Sequence, residues 1–398
     1  MANIRFKTLF TKMDNEELYI NNKLLKNTTV YDTIHKYVNG RYEIVLNIIT
    51  HELLIRYKGS KEWEVLNEKS LMIELTKKKI KFKKFELETY LGSNYIKQIN
   101  PLKQYFNNLN KWDGVDHIKN LTSYIPTDDN VFFEYHLKKW LGRSIKTALE
   151  ENFYNKQCLV FLQEKQNSGK SSLCRFFCPP ELKKHIAENI SDDKDGLIQL
   201  CKNLLINLDE IDKLSIKYIN AYKSMFSKTH INIRLPYAKN NSHQTRNCSF
   251  IGSTNLINFL RDETGNVRWV CIELIGQIDF NYSKDIDINK VWEQAFHLAY
   301  KDKSFNCDLT VNDIKENEER NENYKHTTIE EELINQLFEK SDNRDDFMTT
   351  TTITMIIKKE YSSVSHITIG KILRKLKFKR VNSRTTGVKG YLIQLRKK

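Results

Sequence analysis

Cys158-Leu-Val-Phe-Leu-Gln-Glu-Lys-Gln-Asn-Ser-Gly-Lys-Ser-Ser172 decides the fold. Its apolar first third suits a buried strand, and Ser-Gly-Lys-Ser is the sequence form of a turn that opens a helix. A phosphate group calls for that arrangement, with backbone N–H donors at a helix N-terminus, a lysine for the charge and a hydroxyl for a divalent cation. The candidate phosphate-binding residues are Glu164, Asn167, Ser168, Gly169, Lys170, Ser171 and Ser172, with Ser171 also the hydroxyl at the metal. The usual G-x-x-x-x-G-K-[ST] pattern begins with glycine, where this chain has Glu164. A non-glycine residue forced into a left-handed conformation there costs about 1–2 kcal/mol. By itself, then, the stretch leaves a chance Gly-Lys-Ser turn open.

The surrounding pattern favours an ATPase. Upstream, Phe133, Leu137, Trp140, Leu141, Ile145, Ala148 and Leu149 recur at helical spacing. Downstream, a helix from Ser172 to Phe177 stops at Pro179-Pro180. Some forty residues beyond the loop, Asn203-Leu-Leu-Ile-Asn-Leu-Asp-Glu210 is an apolar strand ending in two acids. An ATPase needs one acid for the metal shell and one to polarise the attacking water, and Asp209 and Glu210 fit those roles. A further strand, Cys248-Ser-Phe-Ile-Gly-Ser-Thr-Asn255, offers Asn255 as a γ-phosphate sensor, with ordinary turn chemistry as the alternative. The turn Asp262-Glu-Thr-Gly-Asn-Val-Arg-Trp269 presents Arg268 before another strand, where it can serve a neighbouring subunit's site or simply lie at the surface.

Gly-Lys-Ser, Leu-Asp-Glu, Ser-Thr-Asn and Thr-Gly-Asn-x-Arg, in that order and preceded by Trp112-Asp-Gly, resemble the virulence-associated protein E family over roughly residues 100 to 305. The resemblance implies a superfamily 3-like AAA+ ATPase of phages and mobile genetic elements, a replicative helicase or replication initiator that forms a hexameric ring with ATP between subunits. It makes Lys170 and Ser171 the phosphate and Mg²⁺ contacts, Asp209 and Glu210 the metal-shell acid and catalytic base, Asn255 the sensor and Arg268 a trans-acting finger. It also places a channel hairpin over residues 232–246, with Lys239 and His243 near its tip against single-stranded DNA. Arg234 and Arg246 face either that channel or the nucleotide, and for all four a solvated loop remains an alternative. Two residues depart from the pattern: Glu164, and Asn167 at a position that is often glycine, the latter mildly because Asn tolerates left-handed geometry.

Composition narrows the class. The 398 residues are 40% hydrophobic, enough for two or three domains with real cores. No apolar stretch approaches the roughly 18 residues of a membrane span, and the first residues lack a secretory core, so a soluble cytoplasmic protein is expected. The seven cysteines form no C-x-x-C pair and sit in apolar runs, which reads as core packing rather than metal or disulfide chemistry. Net charge is +14, of which residues 353–398 carry +12, leaving only +2 for the rest of the chain. Thirteen cations against one acid in that tail point to a polyanionic partner.

The tail reads as helix over Thr350–Tyr361, turn, helix over Ile367–Leu376 and hairpin over Phe378–Leu395, the outline of a winged helix that binds duplex or origin DNA. Ile369, Ile372, Leu373 and Leu376 would turn inward, leaving Thr368, Lys371 and Lys375 outward, with Arg384 and Lys389 flanking the wing. In residues 1–128 strands are expected at 42–49 and 51–57 and a helix at 68–79. Lys77-Lys-Lys-Ile-Lys-Phe-Lys-Lys84 reads first as a solvated helix end, with nucleic-acid contact as the alternative, and Trp112 as a buried structural anchor. No primase-like set of paired acids stands out there, so any primase would be a separate protein.

The expected fold is thus α/β, in four parts: a mixed α/β domain over 1–128 (assembly collar or DNA contact), the ATPase core over 129–305, an acidic linker and helix over 306–345, and a winged helix over 346–398. The expected function is an ATP- and Mg²⁺-dependent DNA helicase or replication initiator. A nucleotide-switched DNA-binding protein, or an ATP-dependent regulator that does not unwind, is the alternative.

Overall fold

The apolar alternation around residue 45 closes a hairpin. In the computed structural model, which describes residues 28–233, 242–260 and 266–396, β1 (Tyr42–Asn47) runs antiparallel to β2 (Glu52–Tyr57). Strands β3 (Glu64–Val65) and β4 (Lys97–Ile99) complete a sheet of order β3-β2-β1-β4. Helices Val30–Arg41, Glu68–Lys77 and Lys84–Leu91 bury Ile34, Val38, Leu71, Leu75, Leu87 and Leu91 beside it. The expected strands and helix are present, each one or two residues shorter at its ends.

The second sheet is the centre of the molecule. Its strands are β5 (Cys158–Leu162), β6 (Ile186–Glu188), β7 (Leu205–Leu208), then, after a hairpin of β8 (His230–Ile233) and β9 (Ser242–Thr245), β10 (Ser249–Thr254) and β11 (Trp269–Glu273). They lie in the order β11-β5-β10-β7-β6, and every pairing is parallel. Helices cover both faces, which is why β5 is a continuous apolar run and β7 is apolar but for the buried Asn207. One face packs on Asn130–Leu149, Lys170–Phe176 and Ile288–Tyr300. The other packs on Lys194–Lys202 and Ile216–Phe226. Asp129 caps the long helix, accepting the Phe132 N–H at 2.9 Å, and Trp140 donates to the Phe250 carbonyl at 3.2 Å.

Two expected boundaries move. Leu102, Phe106, Ile118, Leu121 and Ile125 are buried in the central core, so the division expected at residue 128 falls inside a packed unit. The acidic stretch after 306 is likewise no linker. Its helix, Val311–Asn321, buries Asp313, Asn317 and Asn321, and Tyr324 joins the central core. An acidic, apolar-poor composition concealed this, because the helix is anchored by polar side chains. Lys139 pairs with Asp313 at 2.6 Å with both side chains buried.

The last sheet gathers β12 (Phe338–Lys340), β13 (Phe347–Thr349) and β14 (Arg380–Asn382) onto β15 (Lys389–Leu395), all antiparallel to it. Helices Ile329–Leu337, Thr350–Ile357 and His366–Lys375 enclose Ile334, Ile353, Ile357, Ile369, Ile372, Leu373, Tyr391 and Ile393. Leu376 is half-buried beside them. The unit therefore begins near Ile329 rather than 346. No described helix is long and apolar enough to cross a membrane.

Candidate functional site

The loop after β5 supplies the first wall of the site. Left-handed backbone falls on Asn167, at φ 59°, and Gly169, at φ 95°, and not on Glu164. The strain anticipated at Glu164 therefore does not arise, and the asparagine takes a conformation it tolerates. A Cβ at Gly169 would also sit 2.9 Å from the outer edge of the exposed Phe280 ring. Lys170 opens the helix Lys170–Phe176 and is itself buried. Its Nζ donates to the carbonyls of Gln163 at 3.2 Å and Lys165 at 3.0 Å and to Ser168 Oγ at 3.0 Å. Burial pushes its pKa below the ordinary lysine value, and the charges of Asp209 and Asp212 offset this only in part.

The second wall follows β7. The Asp209 N–H donates to Asn189 Oδ1 at 2.9 Å, and its Oδ1 accepts from Ser171 Oγ at 2.6 Å and Ser253 Oγ at 2.5 Å. Burial alone would raise this carboxyl's pKa. The two hydroxyls outweigh it, helped by Arg175 at 3.5 Å, and hold it below the usual carboxylate range. Glu210 is left-handed, at φ 55°, and its carboxylate meets Lys213 at 2.6 Å. A non-glycine residue held at positive φ beside a cavity is a mark of a functional position. Asp212 accepts from Thr254 Oγ1 at 2.9 Å and the Asn255 N–H at 3.2 Å, pinning the tip of β10 to the turn after Glu210. Asp209, Glu210, Lys213 and Ser253, with loop residues 166–172, Asn255 and Phe280, line a cavity of about 450 Å³ outside the carboxyl ends of β5, β7 and β10. Parallel α/β sheets bind ligands at that end.

The structure thus brings Asn167, Ser168, Gly169, Lys170, Ser171, Ser172, Asp209, Glu210 and Asn255 together. Arg268 stands elsewhere. Trp269 pairs with Cys158 at the start of the strands, whereas the loop follows Leu162, which pairs with Glu273. The length of β5, roughly 16 Å at about 3.3 Å per residue, separates Arg268 from this chain's own cavity. Its guanidinium lies 3.2 Å from Ser227 Oγ. Asn317 and Asn321 hold the turn that carries it, each donating at 2.9 Å to the Trp269 carbonyl and also to those of Val267 and Asn266.

At the β8–β9 hairpin, Lys239 and Arg234 lie outside the described residues. His243 is exposed at the end of the β8–β9 ladder, its ring stacked on His230 at 4.3 Å. Arg246 is not among the residues that line the cavity. It is fully buried and donates to five carbonyls, those of Cys248, Met225, Phe226, Lys228 and Asn155, at 2.7–3.3 Å. Trp112 is half-buried rather than buried, donating to the Val115 carbonyl at 2.6 Å beside His297.

In the C-terminal unit Lys371, Arg384 and Lys389 are exposed and Thr368 is partly so. Lys375 turns inward instead, to Glu331 at 2.6 Å on helix Ile329–Leu337, which lies outside the expected winged-helix boundary. Sequence reasoning missed Ser253, Asn189, Arg175, Asp212 and Lys213. Ser253 carried a usable signal, as a polar residue late in a buried strand one position before the sensor pair. Asn189 carried none, because only the pairing of β6 with β7 brings it to Asp209.

Comparison with known proteins agrees with this geometry. Two solved structures of the NrS-1 C terminal region, an apo form and an A-form apo structure, each share 14% sequence identity with this chain at a TM-score of 0.52. The first covers 91% of this chain and 98% of its own, the second 92% and 99%, which is a likeness of fold. Among curated proteins no sequence matches. The model of the virulence-associated protein E-like domain matches residues 106–327, more than half of the chain and the whole of the central sheet. The chain belongs to the virulence-associated protein E-like family.

Proposed function

We infer that this protein is an ATP-dependent DNA helicase or replication initiator with a superfamily 3-like AAA+ core. It would assemble as a homo-oligomeric ring, hexameric by analogy, in the cytoplasm, with any primase supplied separately. One observation carries the reading: where the two walls of the cavity meet, the Ser171 hydroxyl donates to the Asp209 carboxylate at 2.6 Å, next to the buried Lys170. The residues fit a nucleoside triphosphate and a divalent cation. Gly169 leaves the loop backbone uncovered, Lys170 has donors to turn outward, and Asp209 stays ionised beside the hydroxyl. ATP with Mg²⁺ would supply the phosphoanhydride to be cleaved and the Lewis acid that draws off its charge. Lys170 would hold the phosphates, Ser171 and Asp209 would hold the metal, Glu210 would take the proton of the attacking water and Asn255 would orient that water.

Arg268 lies too far from its own cavity to serve it, which supports a role in the cavity of a neighbouring copy and hence a ring. The hairpin, with His243 and Lys239, is read as the contact with single-stranded DNA. The C-terminal unit, with its helix, turn, helix and antiparallel strands, is read as a winged helix that presents Thr368, Lys371, Arg384 and Lys389 to duplex DNA. Lys375, engaged by Glu331, takes no part.

A second reading has a specific support. The Glu210 carboxylate, although exposed, is already engaged by Lys213 at 2.6 Å, as expected of a nucleotide switch that binds without turnover. DNA-stimulated ATPase and fork unwinding, measured on the parent, Lys170→Ala and Glu210→Gln, separate the two. Turnover with unwinding in the parent, abolished in both variants, supports the helicase. Nucleotide binding with negligible turnover in the parent supports the switch, and turnover without unwinding indicates a regulator.

A further inference from the structure

Two helices of this protein stop in the same way. Glu68–Lys77 ends with Lys79 at φ 61°, its N–H on the Thr76 carbonyl at 2.8 Å and the Ile80 N–H on the Leu75 carbonyl at 3.1 Å. His366–Lys375 ends with Lys377 at φ 56°, its N–H on the Arg374 carbonyl at 3.0 Å and the Phe378 N–H on the Leu373 carbonyl at 3.0 Å. In this double-bonded stop the left-handed position usually goes to glycine, because a Cβ is penalised there. A turn that serves only to end a helix gains nothing from a lysine at that point. Here a lysine occupies it twice, within Leu75-Thr-Lys-Lys-Lys-Ile-Lys81 and Leu373-Arg-Lys-Leu-Lys-Phe-Lys379. The second turn belongs to the basic unit read above as binding DNA, and the first repeats its backbone and its charge in the N-terminal unit.

The surroundings of the first turn leave its charge available. Lys77, Lys78, Lys79, Lys81, Lys83 and Lys84 are all exposed. Among the described residues only Lys84 has an ion pair, with Glu88 at 3.3 Å, and both side chains remain largely in solvent. The nearest acids are engaged elsewhere: Glu74 accepts from Tyr37 and Tyr42 at 2.7 Å, and Glu86 accepts the Lys83 backbone N–H at 2.6 Å. Phe85 stands exposed beside them, with the Lys83 ammonium 6.0 Å from its ring centre. Closely spaced cations next to an open aromatic face match the chemistry of a single nucleic-acid strand, whose phosphates need charge and whose bases stack.

We propose that the turn Lys77–Phe85 is a further DNA contact, beyond the hairpin and the C-terminal unit, in which the lysines hold successive phosphates of a single strand and Phe85 offers a face to a base. It is independent of the nucleotide cavity, so a failure of the ATPase reading would leave it standing.

The test is fluorescence anisotropy of the full chain with a labelled oligodeoxythymidine over a range of salt concentrations. The variant is Lys78→Gln/Lys79→Gly/Lys81→Gln. Removing three phosphate contacts should weaken binding roughly tenfold and lower the slope of log affinity against log salt by about 2, at about 0.7 per contact on a single strand. Glycine at 79 suits the left-handed backbone, so the melting temperature should not fall, and a loss of affinity will not be a loss of fold. Lys78→Arg/Lys81→Arg should keep parental affinity and slope. Unchanged affinity and slope in the first variant would overturn the proposal. So would intact DNA binding with weakened binding to poly-glutamate, which would make the turn an acidic-protein contact.

Discussion

Replacing Arg246 with methionine tests the strongest correction that the tertiary structure makes. The guanidinium joins four segments: the C-terminal carbonyls of helix Ile216–Phe226, Lys228 before β8, Cys248 before β10 and Asn155 before β5. It also lies over the Phe250 ring at 5.1 Å. A buried acceptor left unpaired costs about 1–3 kcal/mol, so five would suggest a very large loss. Methionine also relieves the desolvation of a buried cation, a penalty of several kcal/mol, and burial already pushes the Arg246 pKa down. The net should fall near the range for breaking a buried charged network, about 3–5 kcal/mol. At about 2–4 °C per kcal/mol for a unit of this size, the melting temperature should drop by roughly 6–20 °C. Thermal unfolding followed by circular dichroism measures this, alongside ATP affinity taken well below the transition. That affinity should stay within roughly twofold, because Arg246 does not line the cavity. Parental stability together with lost ATP affinity would refute the reasoning and return Arg246 to the nucleotide.

Ser253→Ala removes one of two hydroxyls on Asp209. A hydrogen bond to a charged group is worth about 1.5–3 kcal/mol, so the Mg²⁺ concentration needed for half-maximal ATPase should rise about 10-fold or more, and a titration with Mg²⁺ checks this. Arg268→Ala should lose turnover while keeping nucleotide affinity, and mixing it with Lys170→Ala subunits should restore part of the rate, because each would supply what the other lacks across an interface. No recovery in the mixture would argue against a trans role. His136 is fully buried, its ring nitrogens have no hydrogen-bond partner among the described residues, with Glu316 standing 3.7 Å from Nε2, and burial pushes its pKa down to about 4. The unfolded chain therefore takes up this proton first, near pH 6.5, and stability should decline from there to pH 4 by on the order of 3 kcal/mol. His136→Phe should flatten that limb in urea unfolding measured across pH.

Much of the central unit was legible from local pattern. The strand ending at Leu162, the Gly-Lys-Ser turn, the acids after Leu208 and the Thr-Asn pair after Ser253 each lie within a short span, and each stands at the cavity. Continuous apolar runs show parallel strands buried on both faces, and chemistry set by adjacent residues shows in adjacent letters. Residues joined by sheet order are different. Asn189 reaches Asp209 only because β6 lies beside β7, and Asp212 holds Asn255 only because β10 was inserted between β5 and β7. Lys375 was misplaced because helical periodicity shows which face is apolar but not which acid stands opposite a cation at its margin.

The sequence by itself determined the order of the motifs, the α/β class of the core and the concentration of positive charge in the tail. These depend on composition and on spacing along one chain. Only the tertiary structure decided that Glu164 escapes left-handed strain, that the acidic helix Val311–Asn321 is part of the core, and that Arg268 is remote from its own cavity. It also decided that Arg246 is a buried strut and that Lys79 copies the backbone of Lys377. Each of these depends on a torsion angle or on a partner supplied by a distant segment. A run of letters specifies neither until hydrogen bonding and burial have selected the pairing of strands.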